Sequence, residues 1–300
     1  MTDYGFTIRH CDPQDPRDCI AYEQLKRGVT FAHMAKRPNY NAGEDLYYAQ
    51  VGDEVISYVN VLPELGIERV VLDCRVSPKA GLGSVPTELF CHALEHAREL
   101  GMRKAHVGLS PTDSDLAGTL SGLGFNEVRV HYELRLDLSK LVLEVAEVPG
   151  VTCCPLEAGK EGNLARIQNR SFAHTWAYNC NTVKDIRWRL EVKANSLDDV
   201  IFALCEGNVI GFCWTVPDCG QDSSTGRSKG QIYMMGVLPK HRRGGIGRRL
   251  LQAGLLHLKS KGREIIDLTV DSGNYGAVRL YYSEGFQLSD KTLWYEKIID

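Results

Sequence analysis

Between Pro239 and Leu251 the chain reads Pro-Lys-His-Arg-Arg-Gly-Gly-Ile-Gly-Arg-Arg-Leu-Leu, a basic, glycine-rich turn running into apolar residues at helical spacing. Gly244, Gly245 and Gly247 let backbone N–H groups approach an anion with no Cβ in the way, and the helix N-terminus adds its dipole. Arg242, Arg243, Arg248 and Arg249 add mobile positive charge. The chemistry such a segment can do is to cradle a phosphate or pyrophosphate. No Gly-Lys-Ser/Thr follows, which excludes a Walker loop, and the third glycine and later acidic residue of a dinucleotide fingerprint are missing. The plain alternative is a basic helix start that serves only as a turn.

The elements that must position this turn follow from the pattern around it. Val151–Glu157 is predicted as a short strand, and Gly159–Ala173 and Val183–Lys193 as helices. Val200–Cys205 and Val209–Val216 are apolar, β-branched runs joined by Gly207-Asn208, a hairpin signal. The stretch Pro-Asp-Cys-Gly-Gln-Asp-Ser-Ser-Thr-Gly-Arg-Ser-Lys-Gly that follows is polar and reads as a mobile loop. Ile232–Val237 is the next strand. Gly245–Lys261 carries Leu250, Leu251, Leu255 and Leu258 on one helical face and stops at Gly262. Ile265–Val270 reads as a buried strand, Tyr275–Glu284 as a short helix and Leu293–Ile299 as a last strand. Strands before, between and after helices imply an α/β fold with a mixed sheet.

The same pattern occurs twice. At a constant offset of 161, Val76 to Phe125 lies over Val237 to Phe286 without a gap, with ten of the fifty positions identical. Pro78/Pro239, Gly83/Gly244, Gly101/Gly262 and Gly124/Gly285 fall at element ends, where backbone turns require them. The duplication predicts two domains, 1–147 and 148–300, joined near Glu147-Val148-Pro149-Gly150.

Composition narrows the class. Hydrophobic residues make 43% and charged residues 24% of 300, ordinary globular proportions that exclude disorder. No apolar run is long enough to span a bilayer, and Met-Thr-Asp-Tyr-Gly-Phe lacks the basic flank and apolar stretch of a secretory signal. The ten cysteines are scattered with no Cys-x-x-Cys, so reduced thiols and a cytoplasmic location are expected. Residues 1–150 carry a net charge of −7 and residues 151–300 of +4, which suits an anion in the second half. Nucleic acid would require arginines interleaved with aromatics or a basic helix, and neither is visible.

Two signatures in order resemble one family. Arg242-x-x-Gly245-x-Gly247 is similar to the pyrophosphate-binding motif of the GNAT N-acetyltransferase superfamily, Gln/Arg-x-x-Gly-x-Gly/Ala. Further on, Asn274-x-x-Ala277-x-x-x-Tyr281-x-x-x-Gly285-Phe286 resembles that family's ending. The resemblance covers the second half and implies two tandem GNAT folds, with acetyl-CoA as donor, an amine as acceptor, direct transfer and no metal. It implies that the backbone at Met235, Gly236 and Val237 holds the acetyl and pantetheine groups. Arg242, Arg243, Gly244, Gly245, Ile246, Gly247 and Arg248 would wrap the pyrophosphate, and Asn274, Ala277 and Arg279 would meet the pantetheine arm. Tyr281 would protonate the departing thiolate, for which a phenol is suited because it is protonated at neutral pH.

The base is less plain. Related N-terminal acetyltransferases carry a Glu at the position of Thr269. The strand Gly230-Gln-Ile-Tyr-Met-Met-Gly-Val237 resembles that of the tandem enzymes of the mycothiol synthase type, which acetylate a cysteinyl-aminosugar, but they carry a Glu where this chain has Gln231, which cannot accept a proton. Alternation of side chains places Asp267, Thr269 and Asp271 on one face, and Gln231, Tyr233 and Met235 together on another strand's face. Asp271 is the candidate base or substrate anchor, with a helix-capping turn residue as the alternative. Gln231, Tyr233, Thr269, His174 and Trp176 are candidate acceptor contacts. A small amine is the expected acceptor; a protein N-terminus or lysine, and a module that binds acyl-CoA without catalysis, are the alternatives. The oligomeric state is open.

The first copy lacks these groups. Arg242, Gly245, Gly247, Asn274 and Tyr281 correspond to Gly81, Ser84, Pro86, Asp113 and Leu120, and the proline removes an N–H that a phosphate would use. A structural partner rather than a second enzyme is expected. His92-Ala-Leu-Glu95-His96 matches an inverted zinc-peptidase pattern, but the duplicate helix has Ala253 and His257 there and no third ligand stands out.

Overall fold

The computed structural model describes residues 5–26, 30–77, 83–142, 144–193 and 195–299. Gly81, the counterpart of Arg242, and the repeat positions Pro78 and Lys79 lie outside them. In chain order the elements are β1 (Thr7–His10), α1 (Pro16–Lys26), α2 (Phe31–Ala35), α3 (Ala42–Asp45), β2 (Leu46–Val51), β3 (Glu54–Glu64), β4 (Arg69–Val76), α4 (Val85–Glu99), β5 (Lys104–Leu109), α5 (Ser114–Gly122) and β6 (Asn126–Asp137). They continue as β7 (Val151–Pro155), α6 (Glu161–Phe172), α7 (Val183–Val192), β8 (Val200–Cys205), β9 (Asn208–Val216), β10 (Lys229–Val237), α8 (Ile246–Ser260), β11 (Ile265–Asp271), α9 (Tyr275–Ser283) and β12 (Gln287–Ile298). Among the described residues no helix is long and apolar enough to cross a membrane.

The chain forms two compact units. The first contains the described residues up to Val130 together with Thr292–Ile299; the second is His131–Lys291. In the first unit the strands run β1-β2-β3-β4-β5-β12, and in the second β7-β8-β9-β10-β11-β6. The order is the same in both, antiparallel except for one central parallel pair, β4/β5 and β10/β11. The sixth strands are exchanged between the repeats. Residues 131–137 of β6, which end the first repeat, pair with β11, and Leu293–Ile298 of β12, which end the second, pair with β5. The compact units therefore divide at 130/131 and 291/292 rather than at 147/148, because each repeat's last strand completes the other's sheet.

In the second unit alternating side chains feed two cores. Ile266, Leu268 and Val270 meet Leu250, Leu251, Leu255 and Leu258 of α8 on one face. Phe202, Phe212 and Trp214 meet Leu164, Ile167, Ile186 and Leu190 of α6 and α7 on the other. Contact is close enough that a Cβ on Gly254 would lie 2.6 Å from Cys213 Sγ, which explains a glycine inside α8.

The polar stretch 217–228 is not the mobile loop the composition suggested. The Asp222 carboxylate accepts hydrogen bonds from Ser224 and Thr225 and from Arg135 at 2.7 Å, and Arg227 forms a bidentate pair with Asp137. The hydroxyls hold Asp222 well below the usual carboxylate range. Polar composition gave no sign of these partners, which come from β6.

In the first unit the H-x-x-E-H residues are also accounted for: His92 stacks on Tyr47, and His96 Nε2 lies 2.8 Å from Asp45 Oδ1, which raises its pKa. The exchanged strand β12 is tied in by a buried polar ladder. Glu64 pairs with Arg69, Arg69 Nη1 lies 3.1 Å from His106 Nδ1, and His106 Nε2 lies 2.8 Å from Glu296 Oε2. Burial, reinforced by Arg69, lowers the His106 pKa below its ordinary 6.5, so the ring is neutral, accepting from Arg69 and donating to Glu296. The unfolded chain then binds a proton at His106 that the folded chain does not, and the ring's stabilising effect is lost as pH falls below 6.5. Glu296→Ala is expected to destabilise the first unit by about 1–3 kcal/mol, the cost of leaving a buried donor unpaired. Urea unfolding followed at Trp294 checks this, since its ring packs against His106.

Candidate active site

The central event in the second unit is that β10 and β11 part. They pair in parallel only at Lys229↔Ile265, Gly230↔Ile266 and Gln231↔Asp267, while β10 runs on to Val237 and β11 to Asp271. On its other edge β10 stays paired with β9 throughout, with one irregularity: two residues from Ile232 to Met234 span a single step from Thr215 to Trp214. Tyr233 is the extra residue of this β-bulge. The first unit's β4 pairs with β3 from Arg69 to Val76 without any such break. Measured back from Val76 and Val237, β4 is one residue shorter to its first parallel pair, so the bulge is what distinguishes the two repeats here.

The bulge corrects one expectation. Gln231, Tyr233 and Met235 do not share a face: Tyr233 packs with the α6/α7 core and Met235 with the α8/α9 core. Gly236 is required by packing, because a Cβ there would lie 2.8 Å from Ser171 Cβ and 2.9 Å from Phe212 Cε1. Both clusters come close at this strand end, leaving the backbone of Met235–Val237 facing the gap opposite β11.

The turn after β10 delivers the helix end expected from its glycines. Gly245 occupies the left-handed region at φ 82° as the N-cap of α8, and no side chain caps this terminus. The first-turn N–H groups, orphaned in any helix, are thus left for an external acceptor. The arginines divide their work. Arg242 donates from Nε to Val237 O at 3.0 Å and from Nη2 to Ser171 O at 2.7 Å, fastening the turn to β10 and α6. Arg248 pairs with Glu284 at 2.8 Å, and Arg249 donates to Ala146 O. Among the described residues Arg243 has no partner; it is exposed and holds φ 67°, unusual for a side chain with a Cβ. Ile246 is buried, and Gly247 and Gly244 leave room above the turn.

The second signature sits opposite. Asn274 caps α9, its Oδ1 accepting from Ala277 N at 3.3 Å, and Arg279 is exposed on that helix. Asp271 accepts from Gly273 N at 2.9 Å, which makes it a turn residue of the β11–α9 corner. Tyr281 is 7% exposed, edge-on to Phe286. Burial, with Cys213 nearby, pushes its phenol above the ordinary value, so it is a proton donor at neutral pH.

On the other face of the split lie the acceptor-side candidates. Arg189 of α7 donates to the Tyr233 hydroxyl at 2.9 Å, and the Lys193 ammonium sits 4.8 Å over the Tyr233 ring. The α6–α7 connection is fixed by Asn169, Tyr178 and Asn181 hydrogen bonding to one another. This places Trp176 edge-on to His131 of β6 at 5.9 Å, while His174 points to solvent as an exposed residue. At the closed end Asp267 receives Arg135 at 2.7 Å and Lys229 at 2.8 Å. Burial works to raise the Asp267 carboxyl, but these hydrogen bonds outweigh it and hold it below its ordinary value. Thr269 is exposed just beyond that point, and its hydroxyl donates to Glu133 Oε2 at 2.7 Å. Glu133, Arg135 and Arg189 were not singled out in the sequence; the signal for the first two, polar positions alternating with core leucines in His131-Tyr-Glu-Leu-Arg-Leu-Asp137, carries no hint of which strand lies alongside.

The sequence profile described as "Acetyltransferase (GNAT) family" matches residues 163–286. A mycothiol acetyltransferase of Thermobispora bispora is 34% identical over 190 residues, 62% of this chain and 62% of its own length. One from Actinosynnema mirum is 32% identical over 220 residues, 72% of this chain and 71% of its own. The chain belongs to the GNAT acetyltransferase family. It thus spans less than two thirds of the length of the Thermobispora bispora relative. A tandem GNAT protein from the clavulanic acid biosynthesis pathway superposes with a TM-score of 0.69 at 14% identity, over 99% of this chain and 98% of its own, so the fold is that of two tandem GNAT domains.

Gly236→Ala is expected to lower the stability of the second unit by about 1–3 kcal/mol through overpacking against Ser171 and Phe212. Thermal unfolding of the variant beside Gly244→Ala, which meets only His241 O at 4.0 Å and should be near neutral, checks it.

Proposed function

We propose that the chain is an acetyl-CoA-dependent N-acetyltransferase with a single active site in the second unit and a small primary amine as acceptor. The observation that carries this reading is the parting of β10 and β11 after Gln231↔Asp267, next to an uncapped helix N-terminus. A thioester arm laid in the gap gains backbone hydrogen bonds from Met235–Val237, and its pyrophosphate gains the N–H groups of Gly245–Arg248 and the free guanidinium of Arg243. Arg242 shapes this cradle through Val237 and Ser171 instead of meeting the phosphates itself. Arg248 would exchange Glu284 for phosphate on binding.

The chemistry follows from the two faces. An acceptor amine approaching from the side of Tyr233, Trp176 and Thr269 attacks the acetyl carbonyl carbon; the C–N bond forms as the C–S bond breaks. The thiolate leaves toward the α8/α9 face, where the Tyr281 phenol gives up its proton to it. A small acceptor is supported by the relatives' name, mycothiol acetyltransferase, and by the lining of Gln231, Tyr233 and Trp176. The first unit's β4 and β5 part likewise after three pairs, and α4 has no side-chain cap, but that unit lacks the bulge, and Pro86 stands in the first turn of α4. It is accordingly non-catalytic.

Calorimetric titration with acetyl-CoA tests this directly. One site per chain is expected, weakened by Arg243→Ala without loss of thermal stability. Tyr281→Phe is expected to lower turnover by about 100-fold or more while acetyl-CoA affinity stays within twofold of the parent. Two sites per chain would restore the first unit as an enzyme; none would remove the acetyltransferase reading.

A further inference from the structure

The reading above leaves the acceptor's proton without a destination. Gln231 cannot take it, and Asp271 is committed to its turn. The register of the exchanged strand supplies an alternative. Glu133 stands directly opposite Thr269 in the β6/β11 pair, and the Thr269 hydroxyl donates to Glu133 Oε2 at 2.7 Å. Thr269 lies two residues beyond the last β10/β11 pair, on the wall of the gap, and is exposed. Leu268 and Val270 beside it point into the core that holds Tyr281, so Thr269 and Glu133 face the other way.

We propose that Glu133 is the proton acceptor of the acetyl transfer, reached through the Thr269 hydroxyl. This rests on the acetyltransferase reading and deepens it. Because Thr269 gives its hydrogen to Glu133, its oxygen presents lone pairs to the gap. As the amine nitrogen bonds to the acetyl carbon, an N–H proton passes to Thr269 Oγ while the Thr269 proton passes to the Glu133 carboxylate. One proton enters the hydroxyl and one leaves it. On the opposite face Tyr281 protonates the thiolate, so acid and base act from the two sides of one split sheet. The cycle closes when Glu133 loses its proton to solvent and Tyr281 regains one, with net release of a single proton per amide formed from an ammonium.

By register, the charged and titratable groups beside Glu133 are Asp267 and Asp271 on β11 and His131 and Arg135 on β6. Arg135 is held by Asp267 and Asp222, and the Thr269 hydroxyl donates to Glu133. The strand that carries the base closes the first repeat in sequence, so the repeat that has lost the phosphate cradle still contributes a group to the reaction.

The test uses the full chain with two amine probes, N-cysteinyl-glucosamine and S-methylcysteine amide, products being quantified by mass spectrometry. Glu133→Gln keeps the hydrogen bond from Thr269 but cannot accept a proton; kcat is expected to fall about 100-fold or more with KM for acetyl-CoA unchanged. The deficit should shrink as pH is raised from 7 to 9.5, because hydroxide then takes the N–H proton released as the C–N bond forms. Thr269→Ser should retain most activity, and Thr269→Val should match Glu133→Gln. A Glu133→Gln variant as active as the parent overturns the proposal, as does a deficit that is constant with pH or tracks a lowered melting temperature. A parent enzyme that binds acetyl-CoA but acetylates neither probe would overturn the small-amine reading itself, an outcome distinct from parent and variant being equally active.

Discussion

Two parallel strands that hydrogen bond for three residues and then separate set the terms for everything else in the second unit. Backbone groups in a sheet are normally paired, and leaving a row of them open is tolerated only at an edge or where a ligand completes the ladder. Here the open row lies in the middle of a sheet, between β10 and β11, with cores packed on both faces. The bulge at Tyr233 sits just beyond the last common pair, on the edge where β10 stays bound to β9. The open backbone row and the placing of Tyr233 and Met235 on opposite faces both depend on that divergence being fixed in place.

Several independent contacts fix it. At the closed end Asp267 is clamped by Arg135 and Lys229, and Arg135 reaches on to Asp222, so the start of the split is tied to β6 and to the 217–228 turn. At the open end Gly236 allows Ser171 and Phe212 to approach the backbone, and Arg242 bridges Val237 and Ser171. An arginine used in this way holds the turn in shape with no ligand present, and a preordered turn lowers the ordering cost of any binding there. Arg243, by contrast, is left exposed in a left-handed backbone conformation, the kind of local strain that is retained where a side chain is needed for a ligand.

Much of this was legible in the sequence, and what was not has a physical cause. The turn from Pro239 to Leu251, the strand and helix boundaries of the second repeat and the duplication all depend on local spacing, which a linear reading captures. The side of the sheet that Met235 faces depends on a bulge, and one inserted residue reverses the alternation from which faces were inferred. The partners of Arg242 were also beyond reach, since they are carbonyls of Val237 and Ser171 from two other elements. Asp222 and Arg227 looked like loop polarity because Arg135 and Asp137 lie some ninety positions away in sequence. Glu133 was hidden most thoroughly: its strand is the last of the first repeat, and nothing local says that it pairs with the fifth strand of the second.

That exchange bears on how a duplicated fold divides labour. When each repeat's final strand completes the other's sheet, neither can drift freely, because a change in β6 is felt beside β11 and a change in β12 beside β5. The first repeat has Ser84, Pro86 and Leu120 where the second has Gly245, Gly247 and Tyr281, while β6 alternates leucines at 134 and 136, which fill the second unit's core, with polar residues at 133 and 135, which pair with Thr269 and Asp267. The asymmetry of the two repeats is then a consequence of topology. The second repeat's parallel pair carries a bulge and a basic turn, and the strand alongside it must be compatible with that pair whichever repeat supplies it.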